Sequence, residues 1–328
     1  MPLALYDVPA PAKLNLFLHV VGKRPDGYHL LQSIFALVDW ADTLHFERRS
    51  DGQLARHDGA DAAAALPADD LCLRAARLLQ TESGCAFGAD IHLEKRLPAG
   101  AGMGGGSSDA ASTLLALNRL WGLNLPRSRL LALGLRLGAD VPFFIGGRSA
   151  FVEGIGEILH PITLPPLGFA VLKPPTGIST QQIFSSPLLA RSKSVAIVAG
   201  FPAHNSSEDK NRTSSDSQSV LSASQAADVV RLDAEGVALL ANGFGRNDLQ
   251  KPAEASCAEV VQALQLLEKR FGNSRMTGSG SAVFARVDTA ASGKDGMSDL
   301  PIDWVPQGWV AKMCRSLDVH PLCGWAED

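Results

Sequence analysis

The sequence lacks an excess of positive charge: 30 Lys and Arg stand against 34 Asp and Glu, a formal net charge of −4 at pH 7. A non-specific nucleic-acid binder needs a basic footprint, so that class is disfavoured, although net charge says nothing about a small local anion site. Cysteines are few and scattered. Cys72, Cys85, Cys257, Cys314 and Cys323 include no C-x-x-C pair and no Cys/His cluster at zinc spacing, which argues against a disulfide framework or structural zinc. No apolar run approaches the roughly 20 residues that span a bilayer. The opening MPLALYDVPAPAK has no basic segment leading into an apolar stretch, so it does not read as a secretory signal. These shortages set the expectation of a cytoplasmic chain with reduced cysteines, no nucleic-acid partner and no membrane partner.

What is present is an ordinary globular mix, 46% hydrophobic and 20% charged over 328 residues. At about 150 residues per domain that length suits two domains or one large one. Ala12 to Val21 is almost continuously apolar and predicts a buried strand, broken by the turn Gly22-Lys23-Arg24-Pro25-Asp26-Gly27. Ile34–Trp40 and Thr43–Glu47 read as further strands, and Ser50–Ala68 as a surface connection. A helix is expected over Leu71–Leu79 with Asp69 or Asp70 as N-cap, then a strand over Ala89–Lys95. Helices are expected after Ser107-Ser108-Asp109 and over Leu130–Leu137, and a strand over Val141–Val152. Pro161–Pro166 reads as a domain junction. Beyond it, a strand over Gly168–Leu172, a short helix near Gln181–Phe184, one amphipathic helix over Glu254–Arg270 and a strand over Ala282–Val287 are expected. The serine-rich stretch from about 191 to 225 reads as a mobile surface insertion.

The strongest chemical signal is Leu97-Pro98-Ala99-Gly100-Ala101-Gly102-Met103-Gly104-Gly105-Gly106-Ser107-Ser108, with five glycines in seven residues between a strand and a helix. Glycine lets backbone N–H groups come close to an anion, and the helix N-terminus adds unpaired donors and the positive end of the macrodipole. No Lys-Ser or Lys-Thr pair follows the glycines, so it is not a Walker A loop, and the acidic residue of a dinucleotide fingerprint is missing. A flexible linker is the bland alternative, but linkers rarely join a strand to a capped helix. Alternation puts Lys13 and Asn15 on one face of their strand; Lys13 there is either a snorkelling strand-end lysine or a cation poised near a phosphoryl group. Asp140, between Leu137-Gly138-Ala139 and Val141-Pro142-Phe143-Phe144, could equally be a turn or capping residue or a fixed general base. Tyr28-His29 reads as a strand-edge pair or as an aromatic face beside a hydrogen-bonding ring. Thr277-Gly278-Ser279-Gly280-Ser281 is by itself only a helix-to-strand turn.

Taken together, PAKLNLFLHVVGKRPDGYH, LPAGAGMGGGSSDAA, GADVPFF and MTGSGSAVF resemble, in order and spacing, the GHMP kinase superfamily, over about Pro11 to Pro321 with the serine-rich stretch excepted. PAKLNLFL with DGYH is similar to its cytidine-binding subgroup. The resemblance implies an α+β fold of two domains: a ribosomal-protein-S5-like half over 1–163, and a ferredoxin-like half over 164–328 that carries the insertion. It implies an active site in the cleft between them, where ATP phosphorylates the 2-hydroxyl of 4-diphosphocytidyl-2-C-methyl-D-erythritol, a small-molecule substrate of non-mevalonate isoprenoid synthesis. By resemblance Asp140 is the base and Lys13 steadies it and the phosphoryl group. Gly100, Gly102, Met103, Gly104, Gly105, Gly106, Ser107 and Ser108 hold ATP phosphates, Pro98 also binds ATP, and Lys95 and Leu71 lie near the adenine. Tyr28 and Phe184 sandwich the cytosine, and His29 and Asn15 complete recognition. The turn of Gly278, Ser279 and Gly280, running to Ser281, closes over the phosphates or the diphosphate and is assigned to substrate binding. Mg²⁺ is expected on ATP oxygens and water with no metal ligands from the chain, and the protein as a monomer or weak homodimer. Departures from the family pattern are Asp70 where asparagine is expected and Gln181-Gln182 before Phe184. Two other readings compete: a GHMP kinase acting on homoserine, mevalonate or a sugar, and a catalytically silent nucleotide-binding relative.

Overall fold

The computed structural model describes residues 2–59, 67–190, 230–231, 245–287 and 302–328; the serine-rich stretch 191–225 lies outside them, as does the 60–66 part of the expected connection. The apolar run at Ala12 is the middle of β1 (Ala4–Lys23), which pairs antiparallel with β2 (His29–Arg49) through the turn at Arg24–Gly27. Both strands are buried on both faces over their centres, which is why the sequence runs apolar there instead of alternating. Ile34–Trp40 and Thr43–Glu47 are therefore one continuous strand. Along its other edge β2 pairs with β4 (Gly88–Glu94) and β5 (Ala150–Glu153); β3 (Leu54–Asp58) pairs parallel with β4, and β6 (Ile158–Thr163) joins β5 to β8 (Val230–Arg231). The stretch expected as a bare connection, Ser50–Ala68, thus contributes an edge strand.

One face of this sheet is covered by α1 (Leu71–Ser83), α2 (Gly105–Leu120), α3 (Arg127–Leu137) and α4 (Val141–Gly146), around a core that includes Leu37, Phe46, Leu114 and Phe144. Asp70 caps α1 by accepting from Leu73 N–H at 3.0 Å. Val141–Ile145 is helix, where the sequence predicted strand. Pro142 sits in the first turn, where its missing N–H costs nothing, and Gly147, at φ +73°, ends the element. Only β5 of the expected strand remains.

The chain leaves the first sheet after Thr163 and enters a second, antiparallel one at Gly168, with strand order β11 (Val310–Arg315), β7 (Gly168–Lys173), β10 (Val283–Val287), β9 (Arg275–Met276). A second core, with Leu14, Ile34, Phe169, Val171 and Phe284, lies between the two sheets. Helix α5 (Thr180–Phe184) follows β7. The single helix expected over Glu254–Arg270 is two, α6 (Gln250–Ser256) and α7 (Ala258–Phe271), parted at Cys257, whose backbone is extended at φ −146°. Val260, Leu264 and Leu267 of α7 cover the outer face of the second sheet. The C-terminal residues return to the first half: His320 N–H donates to Gly147 C=O at 2.8 Å, and the Arg127 guanidinium donates to Cys323 and Ala326 carbonyls. The fold is α+β. All five cysteines are free, and no helix among the described residues is long and apolar enough to cross a membrane.

Candidate active site

The glycine loop sits between the two sheets. Helix α2 starts at Gly105, so Ser107 and Ser108 lie inside its first turn and not before it as the sequence predicted. Gly104 is the N-cap at φ +74° and, lacking a side chain, makes no cap hydrogen bond, so it blocks none of the helix's free N–H groups. A Cβ on Gly104 would lie 2.9 Å from Phe144 Cζ and 3.3 Å from Lys13 Cγ; one on Gly102, at φ +71°, would collide with the Thr277 carbonyl. The late turn explains that second crowding. Ser281 and Ala282 donate their N–H groups to the carbonyls of Gly100 and Ala101, so the two glycine segments pack backbone to backbone.

Two cavities meet at this loop and share Gly102 and Gly104 as walls. One, of about 490 Å³, is lined by Leu71, Arg74, Lys95, Pro98 and the loop through Ser107. The other, of about 470 Å³, is lined by Lys13, Asn15, Tyr28, His29, Asp140 and Phe184, with Gly278 and Ser279 on its far side.

Lys13 and Asp140 face the second cavity. Lys13 is 3% exposed; its Nζ lies 3.8 Å from Asp140 Oδ2, donates to Asn15 Oδ1 at 2.6 Å, and stands 4.5 Å from the Phe35 ring centre. The contact with Asn15 puts both side chains on one face, as alternation required. Its backbone N–H donates to Met103 C=O at 3.0 Å, tying β1 to the loop. Burial pulls the Lys13 ammonium below the ordinary lysine range, and the Asp140 carboxylate opposes that fall. Asp140 precedes α4 at the N-cap position but makes no side-chain cap hydrogen bond, so the capping alternative is not realised.

Asn15 is held from both sides. Its N–H donates to Thr277 Oγ1 at 2.9 Å and its Nδ2 to Ser33 Oγ at 3.0 Å. Ser33 and Thr277 were not singled out in the sequence; Thr277 stood in the quoted TGSGS turn, but nothing local linked it to a residue 262 positions away.

Several expected residues fall elsewhere. Ser108 is fully buried and its hydroxyl donates to Pro11 C=O at 2.7 Å, so it braces α2 on β1 instead of facing the cavity. Gly280 lies behind Ser279 against Met276 and lines neither cavity. Tyr28 and Phe184 line the same cavity, Tyr28 60% exposed, and the ring stacked on Phe184 is His29, at 5.1 Å and 24°. Lys95 reaches its cavity, but its Nζ is held by Asp42 and Asp109.

A carboxylate beside a buried lysine ammonium, next to an open helix N-terminus, can take a proton from an alcohol while an anion is gripped alongside. Comparisons with known proteins give the family. Residues 70–148 match the GHMP kinases N terminal domain and residues 226–301 the GHMP kinases C terminal domain. The chain is 58% identical over 323 residues to the 4-diphosphocytidyl-2-C-methyl-D-erythritol kinase of Methylibium petroleiphilum, covering 98% of each chain. It is 51% identical to the protein of that name from Variovorax paradoxus, over 98% of this chain and 99% of that one. A crystal structure of 4-(cytidine 5'-diphospho)-2C-methyl-D-erythritol kinase superposes at TM-score 0.63 and 33% identity, over 84% of this chain and 88% of that one. Homoserine kinase from Cytophaga hutchinsonii shares the fold at TM-score 0.63 but only 15% identity, over 98% of this chain and 96% of that one. On identity above one half along nearly its whole length, the chain belongs to the 4-diphosphocytidyl-2-C-methyl-D-erythritol kinases of the GHMP kinase family.

Proposed function

We propose that the chain transfers the γ-phosphoryl group of ATP to the 2-hydroxyl of 4-diphosphocytidyl-2-C-methyl-D-erythritol. The observation that carries this reading is the Lys13–Asp140 pair at 3.8 Å, placed where the two cavities meet. The nucleotide lies in the cavity floored by the glycine loop, its anionic tail over the N-terminus of α2. The acceptor alcohol lies in the other, with its hydroxyl toward Asp140. The acceptor oxygen bonds to the γ-phosphorus, the bridging P–O bond breaks to release ADP, and Asp140 takes the hydroxyl proton. Lys13 offsets charge on the carboxylate and on the moving phosphoryl group. Phosphoryl transfer needs positioning and charge neutralisation more than covalent help, and this pair with the loop provides both.

Among the described residues no group of three or more His, Cys, Asp or Glu could hold a metal ion. We take Mg²⁺ to enter as part of the Mg–ATP substrate, carried largely by phosphate oxygens and water, which suits its coordination preference. The His29–Phe184 stack supplies an aromatic wall for a pyrimidine. Stacking of a base on such a ring is worth about 1–3 kcal/mol, enough to orient the substrate. We place the division of the chain into two halves at 163/164 and take the protein as a cytoplasmic monomer or weak homodimer.

Following ADP release with Mg–ATP and, separately, the cytidyl alcohol, homoserine, mevalonate and galactose tests the reading. Release only with the cytidyl alcohol is expected. Release with another alcohol would assign a different GHMP specificity, and nucleotide binding without turnover on any would make this a silent relative.

A further inference from the structure

We infer that Asp42, Lys95 and Asp109 form a positioning strut beneath the nucleotide loop, Lys95 bridging a carboxylate of β2 to one of α2 without itself meeting a phosphate. The inference rests on the proposed reading of the glycine-loop cavity as the nucleotide site.

Asp42 is fully buried in β2, and its Oδ1 accepts the backbone N–H groups of Arg96 at 2.6 Å and Leu97 at 2.7 Å, the first residues of the loop. Its Oδ2 accepts from Lys95 Nζ. The same Nζ donates to Oδ2 of Asp109 at 2.7 Å, in the second turn of α2. Entry to and exit from the loop are thus pinned to one ammonium. That ammonium lies 3.5 Å from where a Cβ on Gly105 would stand, directly under the start of α2. Two of its three donors are spent on carboxylates, and those partners offset its pull on any anion. A lysine so placed fixes geometry; it does not attract phosphate.

The cluster holds one positive charge against two carboxylates, and Asp109 Oδ1 is buried with no hydrogen-bond partner among the described residues. Burial pushes the Asp109 carboxyl up to about 7, with Asp42 adding to the rise and Lys95 opposing it. The charged and titratable groups around it are Lys95 at the end of β4, Asp42 on β2 and Cys72 on α1, whose thiol burial also pushes up; Asp70 and Arg74 line the same cavity. An anionic nucleotide arriving over α2 favours the protonated form further. Binding then takes up a proton, so affinity falls as pH rises through the neutral range.

Calorimetric titration of the full chain with ADP and ATP tests the strut, using Lys95→Met, Asp109→Asn and the double variant. Lys95→Met leaves two buried carboxylates without a counter-charge and is expected to weaken binding at least about tenfold. Adding Asp109→Asn removes one of those charges and is expected to restore part of the loss. A phosphate-binding lysine gives only the gain that Asp109→Asn brings by itself in the unmodified background, so a double variant that recovers no more than that gain would overturn the strut. Asp109→Asn alone, permanently neutral, is expected to flatten the loss of affinity that the unmodified chain shows between about pH 7 and 8.5, where the linked proton is released. An unchanged pH slope would overturn the inference even if Lys95→Met did not fold. Failure of the unmodified chain to bind nucleotide would sink the reading of the cavity, and the strut with it; binding without rescue sinks the strut alone.

Discussion

Asp140→Asn is expected to lower kcat by about 10² to 10⁴ while leaving ATP affinity within about threefold, the range for losing a positioned general base. The side chain makes no cap bond and, among the described residues, has a single ionic partner, Lys13 at 3.8 Å, so the substitution removes the proton acceptor without dismantling a helix end. Asparagine keeps the shape and an oxygen toward Lys13 but cannot take a proton at neutral pH. The nucleotide cavity is lined by α1, the end of β4 and the loop and does not include Asp140, which is why binding is expected to survive. Stopped-flow measurement of ADP release beside equilibrium ATP titration separates the two. A kcat within threefold of the unmodified enzyme would remove Asp140 from the chemistry.

Gly104→Val carries the second large effect, on binding and turnover together. At φ +74° any L-residue with a branched Cβ is strained, and the new atom meets Phe144 at 2.9 Å and Lys13 at 3.3 Å. Phe144 is fully buried and cannot yield, so the loop must shift away from the N-terminus of α2. Strain of about 1–3 kcal/mol at such a position, if relieved by moving the cradle, corresponds to a loss of nucleotide affinity of about tenfold or more. Gly272→Val is the matched control. It has φ +70° and nothing within 4 Å of its Cβ position, at the end of α7, so it shares the backbone strain without touching the site. Equal loss of ATP affinity in both variants would mean that stability, not the cradle, is being measured.

The parts of the site that were legible in the sequence are those fixed by local rules. Strand alternation placed Lys13 with Asn15, and a glycine run between a strand and a helix marked the loop that walls both cavities. What escaped was non-local or ambiguous in period. Val141–Ile145 is a short apolar run, which periodicity cannot assign to helix or strand; a proline in its first turn decided for helix. Cys257 broke an apparently continuous amphipathic pattern through its backbone alone. Ser108 belongs to the same motif as Ser107, yet a single turn of helix points its hydroxyl at Pro11. Asp42 gave no signal, because a buried aspartate between Ala41 and Thr43 reads as an ordinary polar strand residue until its partners 53 to 55 positions away are seen. The tyrosine–histidine pair was identifiable, but which of its two rings meets Phe184 depends on the path of the turn at Gly27.

Phosphorus NMR of the protein incubated with Mg–ATP and the cytidyl alcohol reads directly whether the γ-phosphoryl group ends on the acceptor's tertiary oxygen. A new phosphomonoester resonance is expected to grow in step with ADP while the cytidine diphosphate signals persist; ADP accumulating with inorganic phosphate and no new ester would rule the transfer out.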